Sequence, residues 1–286
     1  MRQPVRSLLI HLQKTAFLAL LSLLVSCASL SPDGVGRVKR YLFAHETVQP
    51  AIDGYKIAFI SDLHYPSLFN HKRLQKLVHK LQEESPDMLL LGGDYVTVND
   101  SIDALFKSLS AVNATYGTYA VLGNHDVKNR ELITESMNRY GIELLDGVAE
   151  SILVENGFSG ETGEFSIAGV SNSFASDSMF AQCLEKVGGS GLVILLCHTP
   201  DFAERNSVAA DLVLSGHTHG GQVSFFGLYT PVSNSRYGNR FLRGMNSTTV
   251  GSTVITTNGV GTSRRKVRFC VPSEIVIVTL RSKCDR

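Results

Sequence analysis

Five short apolar runs in this chain of 286 residues end abruptly in polar clusters, and that punctuation constrains the fold more than any other feature. Lys56-Ile57-Ala58-Phe59-Ile60 gives way to Ser61-Asp62-Leu63-His64, and Met88-Leu89-Leu90-Leu91 to Gly92-Gly93-Asp94. Tyr119-Ala120-Val121-Leu122 leads into Gly123-Asn124-His125-Asp126, Leu192 to Leu196 into Cys197-His198, and Asp211-Leu212-Val213-Leu214 into Ser215-Gly216-His217-Thr218-His219. Runs this short, apolar without alternation, are strands buried on both faces. Helical spacing at Leu74, Leu77, Val78 and Leu81, and a second helix over Ile102 to Leu109, separate the first three strands. Strand, turn and helix in repetition is an α/β pattern, and such folds place their chemistry at the carboxyl ends of strands. Two more strands, split by a glycine-rich turn, are expected between about Glu150 and Val170, and strands and loops without a long helix from Gln222 onward.

His217 and His219 are one residue apart, so in extended chain their side chains share a face and reach one small volume. An isolated pair of that kind is weak evidence, but five of the nine histidines (His64, His125, His198, His217 and His219) fall just after apolar runs, together with Asp62, Asp94 and Asn124. Imidazole nitrogen and carboxylate oxygen suit zinc, manganese or iron. The donors outnumber the three or four that one catalytic zinc needs, so two adjacent divalent metals are expected. Asp87, Asp211 and Glu274 are expected to be solvated or to cap chain ends.

The chain is 43% apolar and 19% charged, enough for a full core. Its 27 basic and 26 acidic residues leave a net charge of +1, so no electrostatic case for nucleic acid arises. The amino terminus reads differently: Arg2, Arg6 and Lys14 precede an apolar run from Thr15 to Ser26, the layout of a secretory signal and short for a membrane span. Leu24-Val25-Ser26-Cys27 resembles the bacterial lipobox, whose cysteine becomes the lipid-modified first residue. Residues 1–27 are therefore expected to be a signal peptide ending at Cys27, or alternatively a retained signal anchor. Residues 28–50 follow as a tether that closes with an edge strand, and 51–286 as the catalytic domain, at the cell membrane and exported. Cys183, Cys197, Cys270 and Cys284 have no metal or redox spacing, and their pairing is open.

Asp62-x-His64, Gly93-Asp94, Gly123-Asn124-His125-Asp126, His198 and Gly216-His217-x-His219, in this order, resemble the successive motifs of the calcineurin-like metallophosphoesterase superfamily. The tail, with Gly259-Val260-Gly261-Thr262-Ser263 and Val267-Arg268-Phe269, is similar to the bacterial membrane-associated branch. The resemblance implies a four-layer α/β/β/α sandwich of two mixed sheets with the site at one edge. It implies one metal on Asp62, His64 and His219, a second on Asn124, His198 and His217, and Asp94 bridging both. It further implies phosphoester hydrolysis by a metal-bridging hydroxide, with His125 stabilising the transition state or protonating the leaving group and Asp126 orienting His125.

Attachment at a bilayer favours lipid-linked phosphoesters, so the specific alternative to a general phosphoesterase is a UDP-2,3-diacylglucosamine pyrophosphatase of lipid A synthesis. A scaffold that has lost its chemistry is the remaining class; a full ligand set argues against it. Phe225-Phe226-Gly227-Leu228-Tyr229 would either line the site or belong to the core. Arg236, Arg240, Arg243, Arg264 and Arg265 would either meet phosphate or be solvated.

Overall fold

The predicted strands feed two cores at once. In β2 (Lys56–Ile60) and β3 (Met88–Leu91), Ile57, Phe59, Met88 and Leu90 face a core shared with β8 (Leu192–Cys197) and β9 (Leu212–Ser215), which contribute Ile194, Leu196, Leu212 and Leu214. Ala58, Ile60, Leu89 and Leu91 turn the other way, onto helices. An unbroken apolar run is what a strand covered on both faces requires. The computed structural model describes residues 11–15, 34–155, 160–171, 191–208, 210–264 and 266–283.

One sheet has six strands in the order β1-β12-β2-β3-β4-β5, with β1 at Arg37–His45, β4 at Thr118–Ala120, β5 at Ile142–Leu144 and β12 at Glu274–Ser282. The second runs β10-β11-β9-β8-β7-β6, with β6 at Val148–Glu155, β7 at Thr162–Val170, β10 at Gly244–Ser247 and β11 at Thr253–Thr256. Both sheets are mixed: β2 to β5 are parallel and β12 opposes β2, while β7, β8, β9 and β11 are parallel and β6 and β10 oppose their neighbours. Helices α1 (His71–Glu84), α2 (Ile102–Leu109) and α3 (Arg130–Arg139) pack on the outer face of the first sheet through residues such as Leu74, Phe106 and Met137. The short α4 (Asp201–Arg205) places Ala203 in a third cluster on the outer face of the second. The expected α/β/β/α sandwich is the observed arrangement.

Helix α1 begins where the Asn70 side chain accepts the Arg73 amide at 3.2 Å and ends on Ser85, left-handed at φ 48°. Its apolar face is Leu74, Leu77, Val78 and Leu81, as the spacing predicts. The edge strand expected at the close of residues 28–50 is β1, which runs parallel to β12 over its whole length, from Arg37 opposite Glu274 to His45 opposite Ser282. One expectation changes. Glu274 is buried rather than solvated, accepting the Asn258 amide at 2.9 Å and its Nδ2 at 3.2 Å. Asp87 and Asp211 do cap strand starts, taking the Lys56 amide at 2.7 Å and the Val193 amide at 2.8 Å. Cys197 is buried and Cys270 half-buried, both free. Cys27, Cys183, Cys284 and Arg265 lie outside the described residues. Among the described residues no helix is long and apolar enough to cross a membrane.

Candidate metal centre

Because β2, β3 and β4 and, across the sandwich, β8 and β9 all point their carboxyl ends at one edge, the polar clusters that follow them converge. The loops are tied to each other by main-chain bonds: Asp62 N donates to Gly93 O at 2.9 Å, His64 N to Asp94 O at 3.0 Å, and Gly216 N to His198 O at 3.0 Å. A bond joins the two sheets where the His217 amide donates to both Asp62 carboxylate oxygens, at 3.1 and 3.0 Å. Asp62, His64, Asp94, His217 and His219 all hold left-handed backbone, with φ between 45° and 69°. For residues other than glycine that conformation is costly, and it concentrates at functional sites. Gly123 and Gly216 make the approach possible: a Cβ on the first would collide with the Asp94 carboxylate, and on the second with Ser61 Oγ and Asp62.

Two groups of donor atoms result, each within 4.8 Å: Asp62, His64, Asp94 and His219, and Asp94, His198 and His217. Asp94 is common to both, with Oδ2 3.6 Å from His64 Nε2 and 3.5 Å from His198 Nε2. The His64 and His219 Nε2 atoms face each other at 3.2 Å, as do His217 Nδ1 and His198 Nε2. His198 Nδ1 donates to Gly92 O at 2.7 Å, which fixes the tautomer and leaves Nε2 for the cluster. The Asn124 Oδ1 atom is buried without a hydrogen-bond partner.

Electrostatics suit this cluster to cations. Burial holds His64 and His217 down to about 4 and His219 well below its ordinary value, so their rings are neutral and carry lone pairs. Burial also drives the Asp62 carboxyl up to about 6. Against the same desolvation, His198, His64 and the His125 amide keep Asp94 far below the usual carboxylate range. At His198 burial opposes protonation, but Asp94 and Asp62 outweigh it and raise the ring to about 10. A divalent cation serves those carboxylates in place of that proton. Facing imidazole nitrogens, an orphaned amide oxygen and a shared carboxylate thus fit a pair of divalent metals, and the nitrogen and oxygen donor set suits zinc, manganese or iron.

His125 stands exposed at the mouth, its ring 5.1 Å from that of His64 and its amide donating to Asp94 Oδ1 at 2.9 Å. Asp126 does not orient it. Fully buried, Asp126 accepts the amides of Asp94 at 2.7 Å, Tyr95 at 3.0 Å and Gly123 at 2.8 Å, so it braces the two loops that carry Asp94 and Asn124.

Arg268 entered the sequence reading only as part of the tail motif, with no role assigned to it. Its guanidinium donates to Asn258 O at 2.7 Å, Gly259 O at 3.2 Å, Gly261 O at 3.0 Å and His219 O at 3.3 Å. Gly261 in turn donates its amide to Asp62 O at 2.7 Å, so this side chain locks the loops behind two candidate ligands. Partners that are all main-chain carbonyls leave no signature in a sequence.

A cavity of about 450 Å³ adjoins His217 and is lined by Phe202, Arg205, Arg236 and Tyr237. Another, of about 410 Å³, adjoins His219 and is lined by Val223, Val232, Val267 and Arg264. Arg240 is committed elsewhere, to Glu204 at 2.7 Å and Ser247 O at 2.8 Å, and the Arg243 guanidinium donates to Ser224 Oγ at 3.5 Å. Phe225, Phe226, Leu228 and Tyr229 are exposed rather than core.

The sequence profile of calcineurin-like phosphoesterases matches residues 55–221. The chain is 32% identical to a metallophosphoesterase of Aquifex aeolicus, over 86% of its own length and 92% of that protein. It is likewise 32% identical to the phosphodiesterase YaeI of Escherichia coli, over 72% of this chain and 75% of that one. In fold it is similar to the sulfate thiohydrolase SoxB of Thermus thermophilus, with a TM-score of 0.50 at 12% identity, covering 82% of this chain and 57% of that one.

Proposed function

The chain belongs to the calcineurin-like phosphoesterase family, whose members are metal-dependent phosphoester hydrolases, and from that premise we propose a dinuclear phosphodiesterase that works at a membrane surface. The observation that carries it is the shared Asp94 carboxylate between two converging sets of nitrogen and oxygen donors. Asp62, His64 and His219 would hold one ion, Asn124, His198 and His217 the other, and Asp94 both. Two such ions supply Lewis-acid polarisation of the phosphoryl group and a water acidified towards neutrality.

The rest falls to side chains of the chain itself. His125, exposed beside His64, would hold a proton at Nε2 or Nδ1 for the leaving oxygen, a role whose removal costs about 10²- to 10⁴-fold in rate. Arg264 in the cavity beside His219 and Arg236 in the one beside His217 would bind phosphoryl or other anionic groups on the substrate's two arms. Membrane attachment would run through the amino terminus, by lipid on Cys27 or by a retained apolar anchor over Thr15 to Ser26.

The test compares the chain with Asp94→Ala on a soluble diester and on UDP-2,3-diacylglucosamine, before and after chelation. Activity should vanish on chelation and return with Mn²⁺ or Zn²⁺, while Asp94→Ala loses metal and turnover together. A fully active Asp94→Ala variant would sink the assignment. UMP release would select the pyrophosphatase.

A further inference from the structure

We infer that the turn Phe225 to Tyr229 is a membrane contact that lays the mouth of the metal centre against a bilayer interface. The turn is well defined: Phe225 N donates to Tyr229 O at 2.8 Å and Leu228 N to Phe225 O at 3.0 Å. It nonetheless exposes Phe225 by 46%, Phe226 by 51%, Leu228 by 88% and Tyr229 by 62%. Val232 and Val267, also exposed, extend the apolar surface to the cavity beside His219. Water-soluble surfaces rarely keep such a patch without a partner.

Chemistry and topology both favour a bilayer as that partner. Arg243 borders the turn, its guanidinium 3.5 Å from Ser224 Oγ and 3.7 Å from where a Cβ on Gly227 would stand, and exposed Arg264 lines the adjoining cavity with Val232 and Val267; aromatic side chains with cations at their border are what settle at the headgroup level of an anionic membrane. The turn is rooted at the site edge, since Ser224 N donates to Phe269 O at 2.9 Å next to Arg268. Strand β1 opposes β2 in direction, so Arg37, bonded to Ser273 O at 3.0 Å and level with Glu274, lies at the end of the sheet where β2 delivers Asp62, with β12 between them. Attachment through the amino terminus, as proposed above, would make the contact by the turn intramolecular. A phosphodiester carried in the membrane then meets the cavity lined by Val223, Val232 and Arg264 without leaving the interface.

This inference rests on the proposed phosphodiesterase site for its purpose, so the experiment reads docking and hydrolysis separately. The chain contains no tryptophan, which lets Leu228→Trp serve as a single reporter. The control is Leu153→Trp, 72% exposed and paired with Glu164 near the opposite ends of the strands. Both are made in the full chain and mixed with vesicles of phosphatidylcholine and phosphatidylglycerol with brominated acyl chains. Emission of Leu228→Trp should shift to the blue and be quenched several-fold more than that of Leu153→Trp. Equal quenching at both positions, or none at 228, overturns the inference and leaves the turn as a site for a protein partner. In parallel, the Phe226→Ser, Leu228→Ser double variant should lose roughly tenfold in kcat/KM on a vesicle-borne phosphodiester and keep its rate on soluble bis-p-nitrophenyl phosphate. An equal loss on both substrates also overturns it. If the unaltered chain fails to hydrolyse the soluble diester, the phosphodiesterase reading falls while the quenching ratio still decides the docking.

Discussion

Replacing Arg268 tests whether the site is held by its surrounding main chain. The side chain makes charge-assisted bonds to the carbonyls of Asn258 at 2.7 Å, Gly261 at 3.0 Å and Gly259 at 3.2 Å. Bonds of this kind contribute about 1.5–3 kcal/mol each, or about 5–9 kcal/mol for the three. Burial works against them, lowering the guanidinium pKa to about 10, which costs about 3 kcal/mol. The difference leaves a net contribution of about 2–6 kcal/mol. Arg268→Ala should therefore lower the unfolding free energy by about 4 kcal/mol, read by urea denaturation in the presence of a chelator so that metal loss does not enter. Arg268→Lys, with a point charge in place of the planar fork, should recover only part of it. Metal affinity should fall as well, because His219 O and, through Gly261, Asp62 O lose their anchor. A change in stability within about 1 kcal/mol for Arg268→Ala, with unchanged m-value, would refute this reasoning.

Metal loading should release protons in a predictable number. At about pH 8, His64 and His217 are already neutral and Asp62 already ionised, whereas His198, raised to about 10, still holds its proton, so loading should expel about one from His198 and about one more from the acidified water. Affinity should accordingly weaken as pH falls, with a further proton competing below about pH 6; calorimetry in buffers of different ionisation heat measures the count, and a value of zero contradicts it. Cys27→Ala should abolish acyl labelling and release the chain from membranes on fractionation. If membrane association and processing persist unchanged, the retained anchor over Thr15 to Ser26 is the correct attachment.

The strands that carry the ligands were legible because both of their faces are buried, which forces runs such as Met88-Leu89-Leu90-Leu91 that nothing else in a domain of this size demands. The candidate ligands stand out in the sequence because polar residues interrupt those runs at their ends. Strand β1 was harder to bound. It lies at the edge of its sheet with only Phe43 buried among its nine residues, so Arg37-Val38-Lys39-Arg40 looks like a basic tether. Helix α3 buries only Ile133, Ser136 and Met137, too thin a stripe to stand out. Asp126 invited the wrong pairing because it follows His125 in sequence, whereas the turn at Gly123 brings its carboxylate to three amides.

The backbone of the site gives its metal binding a particular thermodynamic character. Five candidate ligands sit in left-handed conformation, each at a cost on the order of 1 kcal/mol or more. That cost is met within the fold: Asp62 and His64 donate their amides to the β3 loop, Asp126 gathers three more amides, and Arg268 ties the loops behind Asp62 and His219. Behind these bonds stand β2, β3, β8 and β9, buried on both faces. The donors are thus positioned by folding itself rather than by the ions they would hold, so little reorganisation remains to be done when metal enters. Binding free energy that is not spent on ordering loops appears instead as affinity and as added stability of the loaded fold, which rises with the logarithm of free metal. A site assembled this way should exchange divalent ions without unfolding, which circular dichroism before and after chelation would check. That separates it from small zinc domains, in which binding and folding are one event.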